Sequence, residues 1–327
     1  MIRASLGCAL VVACAPLLGC DAALLSPARA FAQDTPADVF SGTALRQDFI
    51  LEQLASAATL VFRPVGSTST VFRTTLRSTI GAAFKAATVR RPYGPQSEVA
   101  SYRLARCLGL SNVPPAVLRW LPTSTLHAGL DSEHAREWPE IAQRLVIGHD
   151  DKVLGAAIYW VEGMRDTGLE SSAGQARVAA WHNVALPLPQ DDAGLAADAS
   201  TMVAFDYLIG NWDRWSGGNV KADASGRHLY LRDHDAGLPL HLSEALHRRM
   251  LERLVQTQRF SRAFYTALRA LSRETYRREL ERDPGFAAAE LFDTRRIAGL
   301  FDRRATLLSH ISALIDEHGA DQVLVFP

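Results

Sequence analysis

Apolar positions along this chain change period partway through. Between residues 60 and 87 they fall in short runs rich in β-branched and aromatic residues, at 60–63, 71–76 and 81–87, with small residues at 64–69. Each run predicts a strand and the small residues predict a turn. A short helix is expected before them at 49–58, with Ile50, Leu51, Leu54 and Ala58 on one side. Gly94-Pro95 is read as a break. After it Val99, Tyr102, Arg106 and Leu108 follow helical spacing and predict a helix over 97–109. Residues 113–118, with two prolines, read as an extended edge, and 145–147 and 154–161 as strands around a turn at 149–152. The stretch 163–198 is polar and irregular, with a helix expected near 173–181. From 199 the three-and-four spacing dominates. It predicts helices over 199–210, 244–258, 262–282 and 295–318, interrupted by one short strand at 229–232. Strands come first and helices last, and no internal repeat is visible. The predicted class is α+β in two lobes, a β-rich lobe over 49–162 and a mainly helical lobe over 163–327.

Composition adds three constraints. With 48% hydrophobic residues in 327, a large core is available. A formal net charge of zero argues against nucleic acid as a partner, because no global positive field recruits it. Arg3 is the only charge before an apolar run at 4–19, too short and too early for a spanning helix. Residues 1–33 therefore read as a signal peptide and 34–48 as a linker. Leu17-Leu18-Gly19-Cys20 resembles a bacterial lipobox, and small-residue cleavage sites at 28–30 and 31–33 compete with it. The expected location is outside the cytoplasm: periplasmic, attached to the outer membrane through a lipid on Cys20, or secreted. Of the four cysteines, Cys8, Cys14 and Cys20 lie in this leader. Cys107 stands alone in a helical pattern and reads as a buried thiol.

The candidate chemistry centres on 205–219. An apolar helical run ends at Gly210, then presents Asn211, Asp213 and Arg214, a glycine turn and Asn219. After the strand at 229–232 come Asp233, His234, Asp235 and Gly237. A carboxylate near an attacking hydroxyl, with an amide oxygen and a second carboxylate for a metal, is what phosphoryl transfer requires. Asp206 and Asp213 can also be read as simple caps of a solvated helix end. A metal-dependent hydrolase on Asp213, Asp233, His234 and Asp235 is a further reading. Lys85 is the only charge in the apolar run 81–87, either snorkelling to solvent or contacting phosphate. Glu98, thirteen positions on, either complements a helix dipole or pairs with Lys85. The arginines at 269, 273, 277 and 278 read as a solvated helix face.

Taken in order, Lys85, Glu98-Val99-Ala100-Ser101-Tyr102-Arg103-Leu104, Val113-Pro114-Pro115, the run from Asp206 to Arg214 and Asp235-Ala236-Gly237 resemble the atypical kinases of the secretory pathway, the four-jointed type. More distantly they resemble the bacterial HipA kinases and the phosphatidylinositol kinases. The resemblance covers about residues 60 to 315 and implies a two-lobed protein-kinase-like fold. It implies that Lys85 holds the α- and β-phosphates of ATP and Glu98 orients it. Gly66, Ser67 and Thr68 would cover the phosphates, and the link at Glu162 would lie beside the adenine. Asp213 would deprotonate the acceptor hydroxyl. Asn219 and Asp235, with Asp233 as a second candidate, would bind Mg²⁺ or Mn²⁺. The acceptor is a protein, glycan or small molecule. Two departures stand out: Trp215 replaces the family histidine, and Asn219 falls six positions after Asp213 instead of five. They leave a pseudokinase, binding nucleotide or a partner without turnover, as the alternative, and AMP transfer as a variant of the first reading.

Overall fold

Strand alternation decides which residues roof the cleft. The computed structural model describes residues 39–66, 70–188 and 190–327. The expected leader, its cleavage sites and the start of the linker lie outside them. Three antiparallel strands, β1 (Thr59–Val65), β2 (Val71–Leu76) and β3 (Gly81–Ala86), open the first lobe. Phe72 pairs with Phe84 across β2 and β3, and Val71 pairs with Lys85 one position along. Successive side chains point to opposite faces, so the phenylalanines take one face and Lys85 the other. The phenylalanine face is sealed by helices. Phe62, Phe72 and Phe84 cluster edge to face with Leu126 and Ile141. Ile50 and Leu54 of α1 (Gln47–Ser56) cover Ala82, Val117 and Ala157.

α2 (Gly94–Cys107) follows, then β4 (Ala116–Pro122), α3 (Thr123–Ala128), α4 (Trp138–Arg144) and β5 (Lys152–Tyr159). The finished sheet has the order β1-β2-β3-β5-β4. Several expectations change here. Gly94-Pro95 starts α2 instead of breaking the chain, because proline in the first turn gives up an N–H that has no helical partner. Residues 145–147 are not a strand; Leu145 and Ile147 make only isolated bridges to Thr88 and Val153. The loop around His127 holds two helices, with Trp138 stacked on His127 at 4.9 Å. The segment 39–48 is no free tether: Phe40 is fully buried against Tyr159 and Tyr230.

The second lobe runs β6 (Arg165–Asp166), α5 (Ser172–His182), α6 (Ala193–Ile209), β7 (Lys221–Ala222), β8 (Leu229–Tyr230), α7 (Glu244–Val255), α8 (Arg262–Ala270), α9 (Arg273–Leu280), α10 (Thr294–His318) and α11 (Ala320–Val323). The expected helix 262–282 is two helices. Ser272 caps α9 in a reciprocal box with Thr275, which stops α8 at Leu271. α2 is buried along most of its length, held between the sheet and α9. Tyr276 donates to the Ala100 carbonyl at 2.9 Å, and Arg103 pairs with Glu279 and Asp283. A single apolar cluster runs from Val99 and Leu104 of α2 through Leu118 to α6 and α10, so the lobes share a core. Cys107 is half-buried, not fully buried, and burial pushes its thiol up to about 12. Among the described residues no helix is long and apolar enough to cross a membrane.

Candidate active site

Lys85 projects from the cleft face of β3 onto three carboxylates. Its Nζ lies 2.7 Å from Glu98 on α2 and 3.0 Å from Asp235, and it also donates to Asp233. The snorkelling reading of Lys85 is thereby set aside, since the residue is only 6% exposed. Burial works against its charge, but Glu98, Asp233 and Asp235 outweigh that and raise the ammonium above its ordinary value. Burial raises the Glu98 carboxyl, against the pull of Lys85. Asp233 is also penalised by burial, yet Lys85 holds it well below the usual carboxylate range. Asp233 has φ +63, a left-handed conformation that turns its carboxylate toward the cleft while the Asp235 side chain stays deeper. His234 lies between them but points inward, edge-on to Phe205 at 5.5 Å and almost fully buried. It is closed off from any ligand in the cleft, which removes it from the hydrolase reading.

A cavity of about 280 Å³ opens beside Lys85. The cleft face of the sheet lines it with Val71, Ala83 and Ile158, and the strand leaving β5 adds Tyr159, Trp160 and Val161. Gly66 is at its rim with φ +83, a conformation open to glycine. Ser67 and Thr68 lie outside the described residues. Glu162 does not line the cavity: its carboxylate pairs with Arg73 at 2.6 Å, and the wall is formed by the residues just before it.

Asp213 is placed by the end of α6. The helix stops at Gly210, whose φ of +72 suits a left-handed cap, and the chain turns at once into Asn211. Asp206 is buried one turn earlier and pairs with Arg214, which donates Nε at 2.9 Å and Nη2 at 3.1 Å. Arg214 has no exposed surface and also donates to the Asn219 and Arg232 carbonyls. Asn211 donates to Asp206 and to the Asp233 carbonyl. Asp206 is therefore the anchor of the loop and not a solvated cap. These bonds tie the Asp213 loop, Asn219 and the Asp233 turn together. Asn219 gives its Nδ2 to the Asp213 carbonyl at 3.0 Å. Gly217 and Gly218 have φ of +113 and +81, so the extra residue before Asn219 is taken up in a glycine bulge.

Sequence reasoning missed two supporting groups. Glu170 accepts from the backbone N–H groups of Gly218 and Asn219 at 2.9 and 3.0 Å, cradling the bulge from forty-odd residues upstream. Arg91, from the turn after β3, lies 3.7 Å from the Asp213 carboxylate and 5.0 Å over the Trp212 ring. Neither sits in a periodic or motif context that would mark it. Trp215 lies under the Arg253 guanidinium at 4.5 Å.

No family model matches the chain, and no curated protein matches it in sequence. Solved structures do. The chain is similar to the Golgi casein kinase (TM-score 0.65, 16% identity, 85% of this chain and 77% of that one). It is similar to the Golgi casein kinase with Mn/ADP bound (TM-score 0.65, 16% identity, 85% and 78%). It is also similar to hydra Fam20 with sugar (TM-score 0.64, 17% identity, 84% and 90%). At these identities what is shared is the architecture: a kinase-like α+β fold of two lobes.

Proposed function

We propose that this protein is a kinase-like phosphotransferase that moves the γ-phosphoryl group of ATP to a hydroxyl acceptor. The observation that carries the reading is the meeting of Lys85, Glu98, Asp233 and Asp235 at the mouth of the 280 Å³ cavity. Three carboxylates on one ammonium leave an excess of negative charge, and hard oxygen donors in that arrangement fit a divalent cation. Asp233, Asp235 and the Asn219 Oδ1 are the residues that would hold Mg²⁺ or Mn²⁺. Bound there, the metal would neutralise charge on the nucleotide phosphates. Glu98 fixes the Lys85 Nζ, which is freed from Asp233 and Asp235 to take phosphate oxygens. The apolar wall from Val71 to Val161 receives the base. Asp213 receives the proton of the acceptor hydroxyl, and Arg91 keeps its carboxylate oriented. The similar structures of the Golgi casein kinase, one with Mn/ADP bound, support the choice of nucleotide and metal. Export through the leader at 1–33, with or without a lipid on Cys20, belongs to the same proposal; the mass of the mature N-terminus checks it.

The test is thermal stability with and without ATP and Mn²⁺ or Mg²⁺. A ligand that binds only the folded state raises the melting temperature by mass action. A metal-dependent rise that disappears in Asp235→Ala, with transfer of label from γ-labelled ATP, supports the reading. A rise without transfer to any acceptor, or ATPase activity, supports the pseudokinase, to which Trp215 and the bulged Asn219 loop point. No rise with any nucleotide, in folded protein, overturns both.

A further inference from the structure

The second lobe has its own cavity, of about 190 Å³, which shares no wall residue with the nucleotide cavity. Asp213 lies on its wall, flanked by Trp212 and Trp215, and α7 closes the far side with Arg249, Met250 and Arg253. The volume is about six waters' worth at ~30 Å³ each, the scale of one sugar-sized molecule. Both arginines line the cavity. Arg248 beside them pairs with Glu244 at 2.9 Å, and Arg91 pairs with Asp213. Arg249 and Arg253 form no ion pair among the described residues. Arg253 is held in place by a neutral partner, Gln175 Oε1 at 3.0 Å, and by the Trp215 face. Arg249 and Arg253 repel each other, and a bound anion relieves that repulsion. A bare alcohol needs no such pair. An acceptor with an anionic end does, because guanidinium groups bind carboxylate and phosphate through charge-assisted hydrogen bonds.

We propose that this cavity seats the acceptor and selects a small polyhydroxylated acid: a hydroxyl at Asp213 and a carboxylate or phosphate on Arg249 and Arg253. The inference rests on the phosphotransferase reading and names its substrate class. In the transfer, the acceptor oxygen forms the new bond to the γ-phosphorus and the bond from that phosphorus to the bridging oxygen of ADP breaks. The hydroxyl proton passes to Asp213, and ADP leaves.

The experiment follows intrinsic tryptophan fluorescence of the full chain with ADP and Mn²⁺, titrated with glucuronate, glucose 6-phosphate and, as the neutral control, glucose. Glucuronate and glucose 6-phosphate separate carboxylate from phosphate. A saturable change with at least one acid, and none with glucose at the same concentration, is expected. Arg249→Ala and Arg253→Gln should each weaken that binding by about tenfold, the loss of one charge-assisted contact, while Arg248→Ala leaves it unchanged. A Mn²⁺–ADP thermal shift in each variant shows that it is folded. No response to either acid, an equal response to glucose, or indifference to both arginine variants overturns the inference. Labelling of an acidic serine peptide with neither acid bound also overturns it, in favour of a protein acceptor. Acid binding without any Mn²⁺–ADP shift in the unaltered chain instead overturns the phosphotransferase reading and the acceptor role with it.

Discussion

Lys85 and Arg214 are the buried cations around which the cleft is wired, and their substitutions should behave differently. Lys85→Met leaves Glu98, Asp233 and Asp235 without their shared partner. Removing one member of a buried ion pair typically costs about 3–5 kcal/mol, and that loss is expected in urea unfolding, together with loss of any nucleotide-dependent thermal shift. Arg214→Ala strands Asp206 and releases the Asn219 and Arg232 carbonyls. It should also cost about 3–5 kcal/mol, measured the same way, and it should loosen the Asp213 loop without touching Lys85. The Lys85–Glu98 pair was legible in the sequence, because a lone lysine in an apolar strand has to find a partner if it does not reach water. Arg214 was legible as part of a motif but not as a buried anchor. Its partner lies eight positions back across a helix end, and only the left-handed turn at Gly210 folds the two together.

At the level of elements, the second lobe places its loops through close backbone contacts. Gly174, in the first turn of α5, packs on the turn at Gly168 and Leu169; an added Cβ would meet the Gly168 carbonyl oxygen at 2.2 Å and the Leu169 Cα at 2.4 Å. Gly174→Ala should therefore destabilise by about 1–3 kcal/mol, the usual range for overpacking, and displace Glu170 from the Gly218 and Asn219 amides. Denaturant unfolding and hydrogen exchange of those amides check it. Ser272→Ala removes the box that starts α9 and should cost ~1 kcal/mol in the same unfolding assay. The sequence pattern joined α8 and α9 because no glycine or proline separates them. The periodicity continues across Leu271, and the break depends on hydroxyl caps at Ser272 and Thr275 that apolar spacing does not register. α3 and α4 were missed for a related reason: each is under eight residues, too short for a period to show.

For the molecule as a whole, acid stability should report on His182. It is buried in the core of the second lobe, where its Nε2 donates to the Ala196 carbonyl at 3.1 Å, and burial lowers its pKa to about 4. The unfolded chain takes up this proton near pH 6.5, the folded chain only near 4. Stability from this group is complete above about 6.5 and falls as pH drops, by about 3 kcal/mol at pH 4. Urea unfolding from pH 7 to 4 should show that slope, and His182→Asn should lose this component of it. The shared core, from α2 through β4 to α6 and α10, makes one cooperative transition the expected outcome for both lobes.

The sequence by itself determined that strands come first and helices last, the α+β class, and the residue types that meet at the cleft. Those follow from local periodicity and from the rarity of charge in apolar runs. Tertiary structure decided the rest. It chose Asp233 as the carboxylate nearer the cleft, took Glu162 out to Arg73, buried Asp206 and Phe40, and brought Glu170, Arg91, Arg249 and Arg253 around the Asp213 loop. The physical reason is separation along the chain. These partners stand from eight to more than a hundred residues apart, and no spacing rule for a helix or strand links them. Their pairing is fixed only when the core closes and each buried charge must find an opposite charge or a hydrogen bond.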